Sequence, residues 1–416
     1  MVLVILAAAA IIMTQKPGSS FDFDEFAAEE RLMNSDDPAG LLKEYWASGF
    51  IPQRRFAVLN ARNKILDETQ NAYSDFFYGT VMPHACLDPD IQIRELTLSA
   101  LSRVHAVKRQ AIEFAQSDDT SAQEKDLEEF EKKYFLPACA VQLDDPDPQV
   151  RAMGIRYARP LKDKAPLVSA IAANLPTPNA QLLGQTASFL QMATGQDFGI
   201  RLKDISKPDS AIPQSAITEK ISRWTEFLAQ DPDKWKSAAA SITPFSIRIP
   251  HLSHDYMALK LKSMDGRDIS LGTHGRKVVI LSFWTTWCTP CIDELPALSA
   301  IQKNMGDKVR IIAISLDGAP SIHGIKDDNG EFIDDQVGKT EANREKILSL
   351  LETSGVELDV VWDQSSSIAA RYKGDELPTH AIYDPSGHLV RVFTGSRSGQ
   401  EWEKIIGNIH DNPVSH

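Results

Sequence analysis

Cysteine is scarce in this chain of 416 residues: there are four, and only Cys288 and Cys291 are close enough in sequence to work as a pair. No second Cys-x-x-Cys and no His-x-x-x-His accompanies them, so the four ligands of a structural zinc site are lacking and no metal or cofactor enters the reading. Positive charge is short as well. Lys and Arg number 44 against 57 Asp and Glu, and the net charge of −13 argues against nucleic-acid binding and against adhesion to anionic membranes. Long apolar runs are absent with one exception, Val2 to Met13, which is followed by polar Thr14 to Ser20. That run is shorter than the ~20 residues of an ordinary membrane span, with no basic residue before it and no Cys after it to take a lipid. Its length is that of a signal-peptide core, so residues 1–20 are expected to be a signal peptide or a short membrane anchor, with the remainder soluble.

What is present is concentrated at Trp287-Cys288-Thr289-Pro290-Cys291. The run before it, Lys277 to Trp284, is β-branched and aromatic and predicts a buried central strand. The run after it carries Leu295, Leu298, Ile301 and Met305 at helical spacing and predicts a helix from Ile292 to Met305. Cys288 then sits where a strand hands over to a helix N-terminus, whose unpaired N–H groups and positive dipole end favour a thiolate. The dipole supplies roughly 0.3–2 kcal/mol, at most about 1.5 pKa units, so hydrogen bonds must supply the rest of the ~1–5 unit depression of a reactive thiol. Residues i and i+3 of a helix lie ~5–6 Å apart, within the separation a disulfide spans, so the pair can close without moving the backbone.

Extended to Cys288-x-x-Cys291-x-x-Glu294-x-Pro296, the motif resembles the thioredoxin superfamily and, within it, the TlpA/ResA branch of extracytoplasmic thiol-disulfide oxidoreductases. Asp265 to Leu271 resembles the opening β-hairpin of that family, Ser315-Leu316-Asp317 the end of its next strand, and Leu377-Pro378-Thr379 its cis-proline loop. Tyr383 to Gly387 resembles the turn of the following hairpin, and Gly395 the glycine before the last helix. The resemblance implies that Cys288 is the attacking nucleophile and Cys291 the resolving thiol. It also implies that Pro378 is cis and presents the Leu377 backbone to a bound peptide. Pro290 lies between the two cysteines. Glu294 is expected to raise the thiol pKa values by repulsion or to accept the Cys291 proton, against a plain reading as a solvated glutamate. Trp287 and Trp284 are expected to shield the disulfide and shape the docking surface, although core packing explains Trp284 equally well.

Two positions depart from the pattern. Ser282 stands where many thioredoxins bury an aspartate, so that role is vacant or has passed to Glu294. His380 follows Thr379 where a small or β-branched residue is usual, and it reads as a packed strand histidine. A peroxiredoxin would want Pro-x-x-x-Thr-x-x-Cys; Thr285 is in place, but Leu281 stands where the proline should be. Residues 318–339 exceed the ~2–6 residues of a usual βα connection and read as an acidic insertion, with a small hairpin turning at Asn329-Gly330.

Residues 21–235 read as helix after helix. Asp88-Pro89-Asp90 and Asp145-Pro146-Asp147 each follow an apolar helix and open another, with Arg94 and Arg151 at matching positions. In each, Asp caps the incoming helix, Pro fits its first turn, and the Arg is expected to reach the acidic turn of a neighbouring repeat. This resembles HEAT-like repeats, although the spacing is wider than their usual ~40–47 residues. Cys86 and Cys139 read as buried free thiols or as a structural disulfide between repeats.

The expected architecture is multidomain. An all-α HEAT-like repeat domain (21–235) is joined by a linker (236–253) to an α/β thioredoxin-like domain (254–416). The expected function is an extracytoplasmic thiol-disulfide oxidoreductase of the bacterial periplasm or cell envelope, secreted or held by the N-terminal segment. It would reduce a protein disulfide, take electrons from a membrane-bound donor, and offer its helical surface to a protein partner. The alternative is a protein-binding scaffold in which the redox pair is inert or auxiliary.

Overall fold

The computed structural model describes residues 23–48, 50–66, 71–115, 119–145, 147–177, 179–201, 214–242, 261–269, 277–319, 340–372, 374 and 376–411. The apolar run 2–13 and the acidic insertion from 320 to 339 lie outside them. Among the described residues no helix is long and apolar enough to cross a membrane.

The described residues up to 242 form α1 (Glu25–Met33), α2 (Pro38–Ala47), α3 (Ile51–Lys64), α4 (Asn71–Phe76), α5 (Met82–Ala85), α6 (Ile91–Glu113) and α7 (Ser121–Phe130). They continue with α8 (Leu136–Leu143), α9 (Pro148–Ala158), α10 (Val168–Ala172), α11 (Ala180–Thr194), α12 (Gln214–Leu228) and α13 (Pro232–Ala239). Two π turns, Phe77–Val81 and Glu131–Phe135, run into α5 and α8, and each of those helices has proline at its second residue. Proline lacks an N–H and crowds the carbonyl four residues back, and a widened turn relieves both conflicts.

The two Asp-Pro-Asp turns are built alike. Asp90 and Asp147 donate their N–H groups to Oδ1 of Asp88 and Asp145 at 2.9 and 2.8 Å. They in turn accept from the N–H groups of Gln92 and Gln149, capping α6 and α9. Arg94 and Arg151 fold back onto the carbonyls of Asp88 and Asp145, each at 2.6 Å. The expected reach between turns is present: Arg94 Nη1 donates to Asp145 Oδ2 at 2.9 Å. The ladder extends both ways, since Arg54 pairs with Asp88 and Arg151 Nε donates to Asn174 Oδ1 at 2.7 Å. The region is therefore helical, with a recurring turn. Cys86 and Cys139 are buried free thiols.

One boundary moves. Residues 236–239 continue α13 rather than open a linker, because Asp231 caps the helix through the Lys234 N–H at 3.2 Å, Pro232 begins it and Trp235 is buried.

Beyond residue 260 the chain forms β1 (Leu261–Lys262), β2 (Asp268–Ile269), β3 (Val278–Trp284), α14 (Thr289–Asn304), β4 (Val309–Ser315), α15 (Thr340–Thr353), β5 (Asp359–Trp362), β6 (Thr379–Tyr383), β7 (Leu389–Thr394) and α16 (Gly399–Asp411). β1 and β2 are an antiparallel hairpin, and the other five strands make one sheet of order β5-β4-β3-β6-β7. β3, β4 and β5 run parallel, while β6 and β7 are antiparallel. Every residue of β3 is buried, as a central strand covered on both faces must be. Val278, Ile280 and Ile382 face Leu298 of α14 and Trp402, Ile405 and Ile406 of α16. Val279, Leu281 and Phe283 face Tyr372, Tyr383 and, from the helical region, Ile51.

Contact between the two regions is concentrated on β7, an edge strand that would otherwise offer unpaired backbone groups. The Val392 N–H donates to the Pro89 carbonyl at 2.7 Å, and Asp90 forms a parallel bridge with Val392. Arg391 grips Asp145 through both guanidinium ends at 2.5 and 2.8 Å, and Arg397 donates to Asp147 at 2.9 Å.

Candidate active site

β3 ends at Trp284, and three residues later the chain turns into α14 with Cys288 as its N-cap. Thr289 and Pro290 fill the first helical positions, where a missing N–H costs nothing. Cys288 and Cys291 form a disulfide with a Cα–Cα distance of 5.3 Å. Cys288 is 6% exposed and Cys291 1%, while Trp287 beside them is 55% exposed. Both sulfurs belong to a cluster with Trp284, Leu295, Ile347 and Val360, and Leu377 packs against it. The Leu377–Pro378 peptide is cis. Thr379 opens β6 between Phe283 and Thr394, and the Pro378 carbonyl accepts from the Gly395 N–H at 2.8 Å. Of the predicted residues, Trp287, Cys288, Pro290 and Cys291 thus share one turn of chain, and Leu377, which precedes Pro378 and Thr379, packs against the cluster that holds both sulfurs.

Glu294 is no solvated glutamate. It is 4% exposed, and its Oε1 accepts from the Arg397 N–H at 2.7 Å and from Trp402 Nε1 at 2.8 Å. Its Oε2 lies 3.1 Å from His380 Nε2. Burial alone would raise this carboxyl, but the charge of His380 and these hydrogen bonds outweigh it and hold it below the usual glutamate value. His380 is fully buried, stacked edge-on against Trp402 at 4.9 Å, and it pairs across the sheet with Ser282. The strand position that lacks an aspartate therefore faces an imidazole, which meets Glu294.

Sequence reasoning had not assigned an acidic partner to His380, because that partner lies on another element. It also gave no site role to Asp317, which accepts from the Thr286 N–H at 3.1 Å and from Thr286 Oγ1 at 2.6 Å. Ser315 Oγ donates to the same carboxylate at 2.8 Å, so the loop leading to Cys288 is pinned to the end of β4. Arg397 was missed entirely. The available signal was an arginine two residues after Gly395, in a loop beside the cis-proline.

Residues 253–392 match the family model described as AhpC/TSA family. The chain is 26% identical over 146 residues to the thioredoxin-like protein YneN of Bacillus subtilis (strain 168), covering 35% of this chain and 73% of that protein. It is 27% identical over 137 residues to the thiol-disulfide oxidoreductase ResA of the same organism, covering 33% of this chain and 63% of that protein. The crystal structure of StoA from Bacillus subtilis is similar over 35% of this chain and 94% of that one, at 21% identity and a TM-score of 0.27. The C-terminal third is a thioredoxin-like domain of the AhpC/TSA type, and the relatives that its sequence resembles include proteins named thiol-disulfide oxidoreductases.

Proposed function

We propose that this chain is an extracytoplasmic thiol-disulfide oxidoreductase that reduces disulfides in a protein partner. The observation that carries the reading is the Cys288–Cys291 disulfide at the N-terminus of α14, beside the cis Leu377–Pro378 bond. In the reduced protein the Cys288 thiolate attacks one sulfur of the partner disulfide and expels the other as a thiolate, which takes a proton. Cys291 then loses its proton and attacks Cys288 Sγ, releasing the second partner thiol and closing the Cys288–Cys291 bond. Two electrons and two protons pass to the partner. A membrane-bound donor returns them, and the extended backbone at Leu377 aligns the partner segment as an added strand.

Glu294 serves this chemistry as a fixed negative charge one turn beyond Cys291, which disfavours the thiolates and makes the reduced pair the better electron donor. The helical region is read as HEAT-like repeats whose surface holds the partner while exchange proceeds. Residues 1–20 deliver or anchor the chain outside the cytoplasm.

Insulin-disulfide reduction tests the reading. Wild type is expected to be active, Cys288→Ser inactive, and Cys291→Ser to trap mixed disulfides with its partner. A potential near that of a reductant (about −270 mV) supports the direction, and one near about −120 mV reverses it. An inactive wild type, reduced and folded, would sink the proposal.

A further inference from the structure

The disulfide lies in the C-terminal domain, yet both loops that flank it are held from the helical region. Before the cis-proline, Glu376 accepts from Gln92 Nε2 at 2.7 Å and lies 3.6 Å from Arg55. After β7, Arg397 is buried with Asp147, its Nη2 and Nε lying 2.9 and 3.3 Å from Asp147 Oδ2. The same guanidinium folds back over its own loop. Nη1 donates to the carbonyls of Gly395 at 2.9 Å and Ser396 at 3.1 Å, and the group stacks on Phe393 at 4.2 Å. With the side chain so fixed, the Arg397 main-chain N–H points at Glu294 Oε1.

We infer that Asp147 and Arg397 are positioning residues of the redox site, through which the helical region fixes Glu294 beside the Cys288–Cys291 pair. The inference rests on the thiol-exchange reading above. Without the Asp147 charge, Arg397 would be a buried cation lacking its carboxylate, a state proteins relieve by moving the cation to water. That movement takes the loop with it. The N–H leaves Glu294, the Gly395 N–H leaves the Pro378 carbonyl, and the carboxylate one turn beyond Cys291 loses one of the bonds that fix it. The charged and titratable groups around Glu294 are His380 from β6, Arg397 from the loop after β7 and, one turn back on its own helix, Cys291. Asp147 touches none of the reacting atoms and acts only through Arg397.

Asp147→Asn tests this, because the amide oxygen still caps Gln149 while the charge is gone. In the full-length reduced protein, the pH dependence of Cys288 alkylation and the redox potential are measured together. Glu294→Gln is expected to move the alkylation inflection to lower pH, and Asp147→Asn to move it the same way by roughly 0.5 unit, about threefold in thiolate fraction at fixed pH. Both variants should have a less negative potential. Arg391→Met is the control: it weakens the same interface at Asp145, which has no bond to Glu294, and is expected to leave the inflection in place. Arg397→Lys keeps a cation for Asp147 but cannot span both carbonyls, so it should shift the inflection too and serves if Asp147→Asn does not fold. A folded Asp147→Asn or Arg397→Lys with the wild-type inflection overturns the inference. So does an equal shift in Arg391→Met, which would mean general loosening. A wild type with no exchange activity overturns the underlying reading, and this inference with it.

Discussion

Glu294 has lost nearly all its water and kept its charge, and the balance is measurable. Its carboxyl is held below the ordinary value of about 4.3, so in linkage terms it stabilises the fold fully above that value and loses the contribution as pH falls through the folded pKa. Glu294→Gln is therefore expected to cost about 1–3 kcal/mol at pH 7, from the weakened bonds to Arg397 and Trp402. The difference from wild type should shrink below about pH 4. Urea unfolding at the two pH values checks it, and equal differences at both would refute it. The four cysteines separate by the same physics. Burial pushes the Cys86 thiol up to about 12 and raises Cys139 strongly. After reduction under native conditions at pH 8, Cys288 is expected to alkylate first, while Cys86 and Cys139 should react only on unfolding. Mass mapping of the labelled peptides decides this.

At the scale of elements, what was legible in the sequence was what neighbours in the chain determine. The β-branched run of β3, the proline in the first turn of α14 and the caps Asp90 and Asp147 all act within a few residues, and each element formed where those signals lie. The cis bond at Pro378 was legible only through resemblance, since proline by itself favours trans. The meeting of His380 with Glu294, and of Arg391 and Arg397 with Asp145 and Asp147, was not legible. Which carboxylate a buried cation finds depends on how sheets and helices pack, and no short-range pattern carries that information. The loop after β7 shows the dependence. Gly395 has φ +88°, where an added Cβ is strained by about 1–2 kcal/mol, and its N–H holds the Pro378 carbonyl. Gly395→Ala is expected to lower stability by about that amount. It should slow insulin reduction several-fold through the displaced cis-proline loop. Full activity in a variant destabilised by this amount would show that the loop does not order the site.

For the whole molecule, the interface on β7 decides whether two regions behave as one. Asp145 is buried between Arg391 and Arg94. Burial would push its carboxyl up, but the two guanidinium groups outweigh that and hold it below the usual aspartate range. Removing one partner of such a pair costs about 3–5 kcal/mol, because a buried charge is left with less than it needs. Here Arg94 remains, so Arg391→Met should fall at the lower end of that range, and the regions should stay docked in the absence of denaturant. Their unfolding should nevertheless separate. In a Cys288→Ser background, helix content at 222 nm reports mostly α1–α13, and exposure of the buried Cys291 thiol reports the sheet domain. The two are expected to change at one urea midpoint, since Ile51 and the Pro89 carbonyl are built into the second domain's core and edge. In Arg391→Met the two midpoints should part, with the domain exposing the β7 edge unfolding first. Coincident transitions in the variant would mean that apolar contact at Ile51, rather than the buried charge pair, couples the helical region to the redox domain.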